Sequence, residues 1–317
     1  RNMLSLTPTA GSVLSADPAT GSPIQWAFTS GASGDAAFDF LRDGETLTIT
    51  YTLNLTDSSG SISPKAPANA TTTVAVTVTG TNDTPLITNA PDTAALTETN
   101  ASISATGSFT VTDIDLTDTV AAIVDSVIIS GGSFNAAQVP LTLAELKAML
   151  GLSVTSGTTS AVPANPTAGS NVIWTFTSGP TNGGGNKAFD FLSAGETLEL
   201  TYTVKTIDNS PARMGKASEL ATSTVTITVT GTNDGPVATF ATPQTTAEDA
   251  AAISGQLTAL DLDLSNNLTY SLVGQAIAGL TMNSSGSWSF DPSHPSYQFL
   301  KPGESTTIVV GYRVIDS

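Results

Sequence analysis

One pattern recurs three times along the 317-residue chain, so the fold must be built from similar units in series, each closing its own core. The first copy runs Trp26-Ala-Phe28, Phe38-Asp-Phe-Leu-Arg-Asp-Gly-Glu45-Thr-Leu-Thr-Ile-Thr-Tyr51 and Thr73-Val-Ala-Val-Thr-Val-Thr-Gly-Thr-Asn82-Asp83-Thr-Pro85. The second runs Trp174-Thr-Phe176, Phe189-Asp-Phe-Leu-Ser-Ala-Gly-Glu196-Thr-Leu-Glu-Leu-Thr-Tyr202 and Thr224-Val-Thr-Ile-Thr-Val-Thr-Gly-Thr-Asn233-Asp234-Gly-Pro236. The third keeps Trp288-Ser-Phe290, Tyr297-Gln-Phe-Leu-Lys-Pro-Gly-Glu304 and Tyr312. Asp83 recurs as Asp234, a spacing of 151 residues.

Within each copy the periodicity is two. Thr73–Thr79 and Thr224–Thr230 alternate Thr with Val, Ile or Ala, which predicts half-buried strands. Leu47, Ile49, Tyr51, Leu53 and Leu55 predict a partner strand, with a turn at Asp57-Ser-Ser-Gly60 making the pair a hairpin. The Asn-Asp segments ending at Pro85 and Pro236 are short, stiff linkers, placing the units at 1–84, 85–235 and 236–317. In the middle unit Leu86–Glu98 is expected as one long strand, with Ile103–Val111 returning antiparallel to it. Thr142-Leu-Ala-Glu145 followed by Leu146 and Met149 has the spacing of a capping box. It predicts one short helix over about residues 142–150, capped by Gly151. The first unit lacks counterparts of Leu86–Val111 and the third lacks one of Thr224–Thr230, so the chain reads as an excerpt from a longer array. The fold class expected is all-β.

Composition narrows the chemistry. With 10 Lys and Arg against 27 Asp and Glu, the net charge of −17 opposes binding to nucleic acid or anionic lipid. It suits divalent cations. No cysteine and a single histidine remove disulfides, thiolate zinc sites, thiol nucleophiles and multi-histidine centres. No stretch approaches ~18 apolar residues, so no membrane insertion is expected.

The Gly-Thr-Asn-Asp-x-Pro linker, the Leu-x-x-Gly-Glu turn and the Thr/Val closing strand resemble the VCBS-type, cadherin-like repeats of large bacterial (RTX-type) surface adhesins. The resemblance covers nearly the whole chain apart from the insert at about residues 117–170. It implies immunoglobulin-like sandwiches in an elongated rod, export by a type I system to the bacterial cell surface, and calcium at the unit junctions. It further implies partners among neighbouring repeats, with other surface proteins, like chains or polysaccharide beyond them.

Strand directions in such a unit sort the acids into two clusters. Around the first linker fall Asp43, Glu45, Asn82, Asp83, Asp113, Asp115 and Asp208. Around the second fall Glu98, Glu196, Asn233, Asp234, Asp261, Asp263 and Asp316. Calcium takes six to eight oxygens, and Asp113-Ile-Asp115 and Asp261-Leu-Asp263 can each aim two carboxylates at one pocket because residues two apart share a face.

Other chemistry is weakly represented. His294 sits in a Pro-flanked turn and has no counterpart in the other copies, so a loop role outweighs a catalytic one. The carboxylate pairs recur at linkers rather than across a cleft, which argues against glycoside hydrolysis. Gly183-Gly-Gly185 lacks the Lys of a phosphate loop. The chain therefore reads as a calcium-stiffened extender of a secreted adhesin, biofilm or surface-layer protein, not an enzyme. The alternative is a carbohydrate-binding module of a polysaccharide-active protein. An exposed row of aromatics such as Trp26, Trp174 and Trp288 would favour that alternative, and buried tryptophans would favour the rod.

Overall fold

The computed structural model describes residues 3–14, 20–31, 36–57, 68–154, 161–163, 169–179, 188–209, 220–239 and 242–316. The expected turn at 58–60 and the glycines at 183–185 lie outside them.

The first repeat contributes β1 (Leu4–Thr7), β2 (Gln25–Phe28), β3 (Thr46–Thr56) and β4 (Asn69–Thr79). The second contributes β5 (Leu86–Thr88), β6 (Asp92–Thr97), β7 (Ser104–Thr112), β8 (Thr119–Gly132), the helix α1 (Leu143–Ala148), β9 (Leu150–Val154), β10 (Ala161–Pro163), β11 (Ser170–Thr177), β12 (Thr197–Asp208) and β13 (Leu220–Thr230). The third contributes β14 (Val237–Ala238), β15 (Ile253–Gln256), β16 (Ala259–Leu260), β17 (Thr269–Val273), β18 (Leu280–Met282), β19 (Ser287–Phe290) and β20 (Gly311–Ile315).

The Thr/Val strands form hairpins in the same register in both repeats that contain them: Tyr51 faces Val74, and Tyr202 faces Val225. On β12 the alternation is complete. Leu198, Leu200, Tyr202 and Val204 point inward while their odd-numbered neighbours stay half-exposed. Two sheets result in the second repeat, ordered β10-β8-β12-β13-β6 and β5-β7-β11-β9. Their facing sides bury Phe109, Trp174, Phe176, Tyr202 and Ile227 in one core, which makes this repeat a β-sandwich.

The first strand differs from expectation. Leu86–Glu98 is not continuous: β5 pairs antiparallel with β7, whereas β6 belongs to the opposite sheet and runs parallel to β13. Pro91 explains the break, since it offers no N–H and a ladder cannot run through it. Asn89 turns the chain there at φ 58°, a conformation Asn tolerates. Trp174 ties the displaced strand back, its Nε1–H donating to Asp92 Oδ2 at 2.8 Å.

That indole packs close to Gly107, its partner across β7 and β11; a Cβ there would come within 2.3 Å of Asp92 Oδ2 and 2.5 Å of Trp174 Cζ2. Gly255 and Trp288 repeat the arrangement on β15 and β19, at 2.6 Å. Trp174 is buried and Trp288 half-buried, while Trp26 is 50% exposed.

The helix forms where the capping box requires it. Thr142 Oγ1 accepts the Glu145 N–H, and Glu145 Oε2 accepts the Thr142 N–H at 2.8 Å. Its apolar anchor is Leu146, fully buried, whose carbonyl accepts the Tyr202 hydroxyl at 2.8 Å. The cap at its end is Met149, not Gly151, which is already part of β9. Among the described residues no helix is long and apolar enough to cross a membrane.

Candidate metal centres

Each linker is fixed first by its glycine. Gly80 and Gly231 press against the preceding Leu-x-x-Gly-Glu turn, where a Cβ would overlap the carbonyl oxygen of Leu41 or Leu192. Their N–H groups donate to Glu45 O and Glu196 O, both at 2.8 Å. The chain therefore leaves the hairpin in one direction and presents Asn82-Asp83, or Asn233-Asp234, to the repeat that follows.

The contacts made there are the same at both linkers. Asp83 N–H donates to Asp115 Oδ2 at 2.8 Å, and Asp234 N–H to Asp263 Oδ2 at 2.9 Å. Asn82 Nδ2 donates to Asp208 Oδ2 at 3.1 Å, and Asn233 Nδ2 to Asp316 Oδ2 at 3.0 Å. Within each Asp-x-Asp, the second N–H returns to the first carboxylate, at 3.1 Å from Asp115 to Asp113 and 3.0 Å from Asp263 to Asp261. One backbone bond crosses between repeats each time, from Leu116 N–H to Phe40 O and from Leu264 N–H to Phe191 O, both 3.2 Å.

These contacts hold one oxygen of a carboxylate and leave another without a donor. Asp113 Oδ2, Asp115 Oδ1, Asp234 Oδ2, Asp261 Oδ2, Asp263 Oδ1, Glu98 Oε1 and the amide oxygen Asn82 Oδ1 are all buried with no hydrogen-bond partner. Such atoms are expensive in isolation, because burial penalises charge and nothing replaces the lost water. The electrostatics reflect it. Burial, reinforced by neighbouring acids and opposed by one backbone hydrogen bond, raises Asp113 to about 6, Asp115 to about 7 and Asp263 to about 6.

At the second linker the oxygens converge. Glu98, Asp190 and Asp234 each bring one oxygen to a common point, all within 4.8 Å of one another. Asp261, Asp263 and Asp316 do the same. Two ligands held at 2.3–2.6 Å from one ion lie at most about 5 Å apart, so each trio fits a single cation of calcium's size. The donor set is oxygen throughout, which suits a hard cation.

Asn82, Asp83, Asp113, Asp115 and Asp208 come together at the first linker, and Glu98, Asn233, Asp234, Asp261, Asp263 and Asp316 at the second. The glutamates of the turns close those turns. Glu196 Oε2 accepts the Ser193 N–H at 2.9 Å, and Glu304 Oε2 accepts that of Lys301 at 3.0 Å. Glu45 Oε2 accepts the Arg42 N–H at 3.4 Å, and its Oε1 accepts the Thr117 hydroxyl at 2.8 Å. Asp43 sits half-buried in the same turn.

Sequence reasoning missed Asp190, which is 2% exposed, and Asp118, equally buried. The signal for Asp190 was present in the repeated Phe-Asp-Phe of Phe38–Phe40 and Phe189–Phe191. His294 accepts the Ser296 N–H at the start of a short 3-10 turn, a structural role.

No protein-family model and no curated protein matches the sequence. Among solved structures the chain is similar to mouse protocadherin-24 EC1-3, at 14% identity over 94% of this chain and 79% of that one, with a TM-score of 0.32. It is similar to the human desmocollin-1 ectodomain at 14% identity over 99% of this chain, which spans about half (53%) of that one, with a TM-score of 0.33. Drosophila N-cadherin EC1-4 overlays at 13% identity over 85% of this chain and 57% of that one, with a TM-score of 0.24. Overlays this loose carry no argument, and the β-sandwich stands on its own strand pairing.

Proposed function

We propose that the chain is a run of three tandem units, 1–84, 85–235 and 236–317, from the extender region of a secreted bacterial surface adhesin or biofilm protein, stiffened by calcium at the two linkers. What supports this reading is one observation above the rest: carboxylate oxygens of Asp113 and Asp115 at the first linker, and of Glu98, Asp234, Asp261 and Asp263 at the second, are buried without donors, and at the second linker acids of both repeats and of the linker between them converge in two trios. An ion there would hold parts of two units at once, so its binding would restrict their relative rotation. Asp83, Asp113, Asp115 and Asp208 would ligate at the first linker, and Glu98, Asp190, Asp234, Asp261, Asp263 and Asp316 at the second. The acids serve a structural role in this account, not a catalytic one.

Isothermal titration of the chain with calcium and, separately, magnesium tests the reading. Saturable calcium binding with much weaker magnesium binding is expected, because magnesium demands smaller and more regular octahedral geometry. Absence of calcium binding at millimolar concentrations would remove the proposal.

A further inference from the structure

The two linkers share their backbone and carboxylate contacts but differ at one group of side chains. At the first, Arg42 Nη1 lies 3.4 Å from Asp118 Oδ1, and Arg42 Nε lies 3.9 Å from Glu45 Oε1. Thr117 Oγ1 donates to the same Glu45 oxygen at 2.8 Å. Arg42 and Glu45 belong to the first repeat, Thr117 and Asp118 to the second. The positions in register at the second linker are Ser193, Glu196, Ser265 and Asn266, so both charged partners of the ion pair are gone. Asn266 Nδ2 turns back to Asp263 Oδ2 in its own repeat at 3.0 Å, and Ser193 Oγ is buried with no partner.

We propose that Arg42, Glu45, Thr117 and Asp118 form a clasp of protein groups alone, which keeps the first and second repeats docked when the cation is removed, whereas the second and third separate. The second half rests on the calcium reading above. Asp118 is 2% exposed, so its attraction to the guanidinium is less screened than that of a surface pair. Arg42 also places a fixed positive charge on Asp118, one of the acids whose charge bears on Asp113 and Asp115. At the second linker a serine stands in the place of the arginine, so that cluster of acids has no counterpart of this charge when the cation leaves. Two linkers of one chain would then answer calcium differently, the first as a fixed joint and the second as a calcium-gated hinge.

The chain has no cysteine, so spin labels can be placed at will. Thr50→Cys with Thr93→Cys spans the first linker and Thr93→Cys with Thr269→Cys the second; all three residues are exposed. Pulsed electron–electron distance measurements on the full chain, with calcium and with chelator, read each linker. In chelator the first distance is expected to stay narrow while the second loses its narrow peak. Arg42→Ser should remove the narrow peak of the first in chelator, and Ser193→Arg with Asn266→Asp should restore that of the second. Equal broadening of both distances in chelator, an Arg42→Ser chain as narrow as the parent, or a transplant that leaves the second distance broad would overturn the clasp. A second distance indifferent to chelator would contradict the calcium reading instead, and Arg42→Ser without calcium would then decide the clasp by itself.

Discussion

Asp115 divides its carboxylate between two tasks: Oδ2 accepts the N–H of Asp83 at 2.8 Å, and Oδ1 is buried without a donor. Asp263 repeats this toward Asp234 at 2.9 Å. The bonded oxygen fixes the linker against the following repeat, and in the proposed reading the other oxygen meets the cation. The proposal thus gives one side chain both a scaffold contact and a binding contact, and substitutions can separate them.

Asp115→Asn keeps the size and one oxygen but removes the charge, while Asp115→Ala removes both contacts. Calcium affinity at the first linker should fall in that order, by roughly tenfold or more for the alanine. The second linker should be unchanged, since the sites are far apart and share no partner. Calorimetric titration separates these outcomes; unchanged binding in Asp115→Ala would sink the assignment.

Asp190→Ala should weaken calcium binding at the second linker by a similar factor and spare the first. Asp190 lies within 4.8 Å of Glu98 and Asp234 at their ligand atoms, and its flanking Phe189 and Phe191 remain to hold the turn. If Asp190→Ala bound calcium as the parent does, Asp190 would be a packing residue rather than a ligand.

Protonation gives a prediction of definite sign. Without calcium, Asp113, Asp115 and Asp263 have folded values of about 6, 7 and 6 against an ordinary 3.8. The folded chain then binds more protons than the unfolded chain between those limits, so stability declines as pH rises from about 4 to about 7. With calcium the carboxylates stay ionised and the trend reverses. The gain in melting temperature on adding calcium should therefore widen from about pH 5 to about pH 8. A gain that does not vary with pH would show that these carboxylates do not meet the ion.

Gly107→Ala should destabilise the second repeat by about 1–3 kcal/mol, because a Cβ would drive into both the Trp174 indole and the Asp92 carboxylate that accepts its N–H. Gly255→Ala should do the same to the third repeat through Trp288. Chemical denaturation followed by tryptophan fluorescence would detect the change. A neutral Gly107→Ala would mean that the Trp174 ring and the Asp92 carboxylate move aside at no cost.

Much of this arrangement is legible in the residues. The Thr/Val alternation names the hairpins and their inward faces, and Thr142 with Glu145 names the helix. Period two, however, states only which residues share a face, not which sheet a strand joins. The switch at Asn89–Pro91 was therefore hidden, though Pro91 inside the run was a sign that the ladder breaks. Asp190 was hidden for a related reason. It stands in the repeated Phe-Asp-Phe motif, whose spacing names no ligand, and Phe189, Asp190 and Phe191 form a turn with all three buried. The turn glutamates show a role that their spacing did not state: Glu45, Glu196 and Glu304 each accept an N–H of their own turn with one carboxylate oxygen.

Small-angle X-ray scattering on the full chain, recorded in saturating calcium and again after chelation, tests most directly whether the ion stiffens the array. The account predicts a longer maximum dimension and a narrower shape distribution with calcium, both lost in chelator and both restored when calcium is returned. Scattering curves that superimpose in the two conditions would contradict it, even if calorimetry showed that calcium binds.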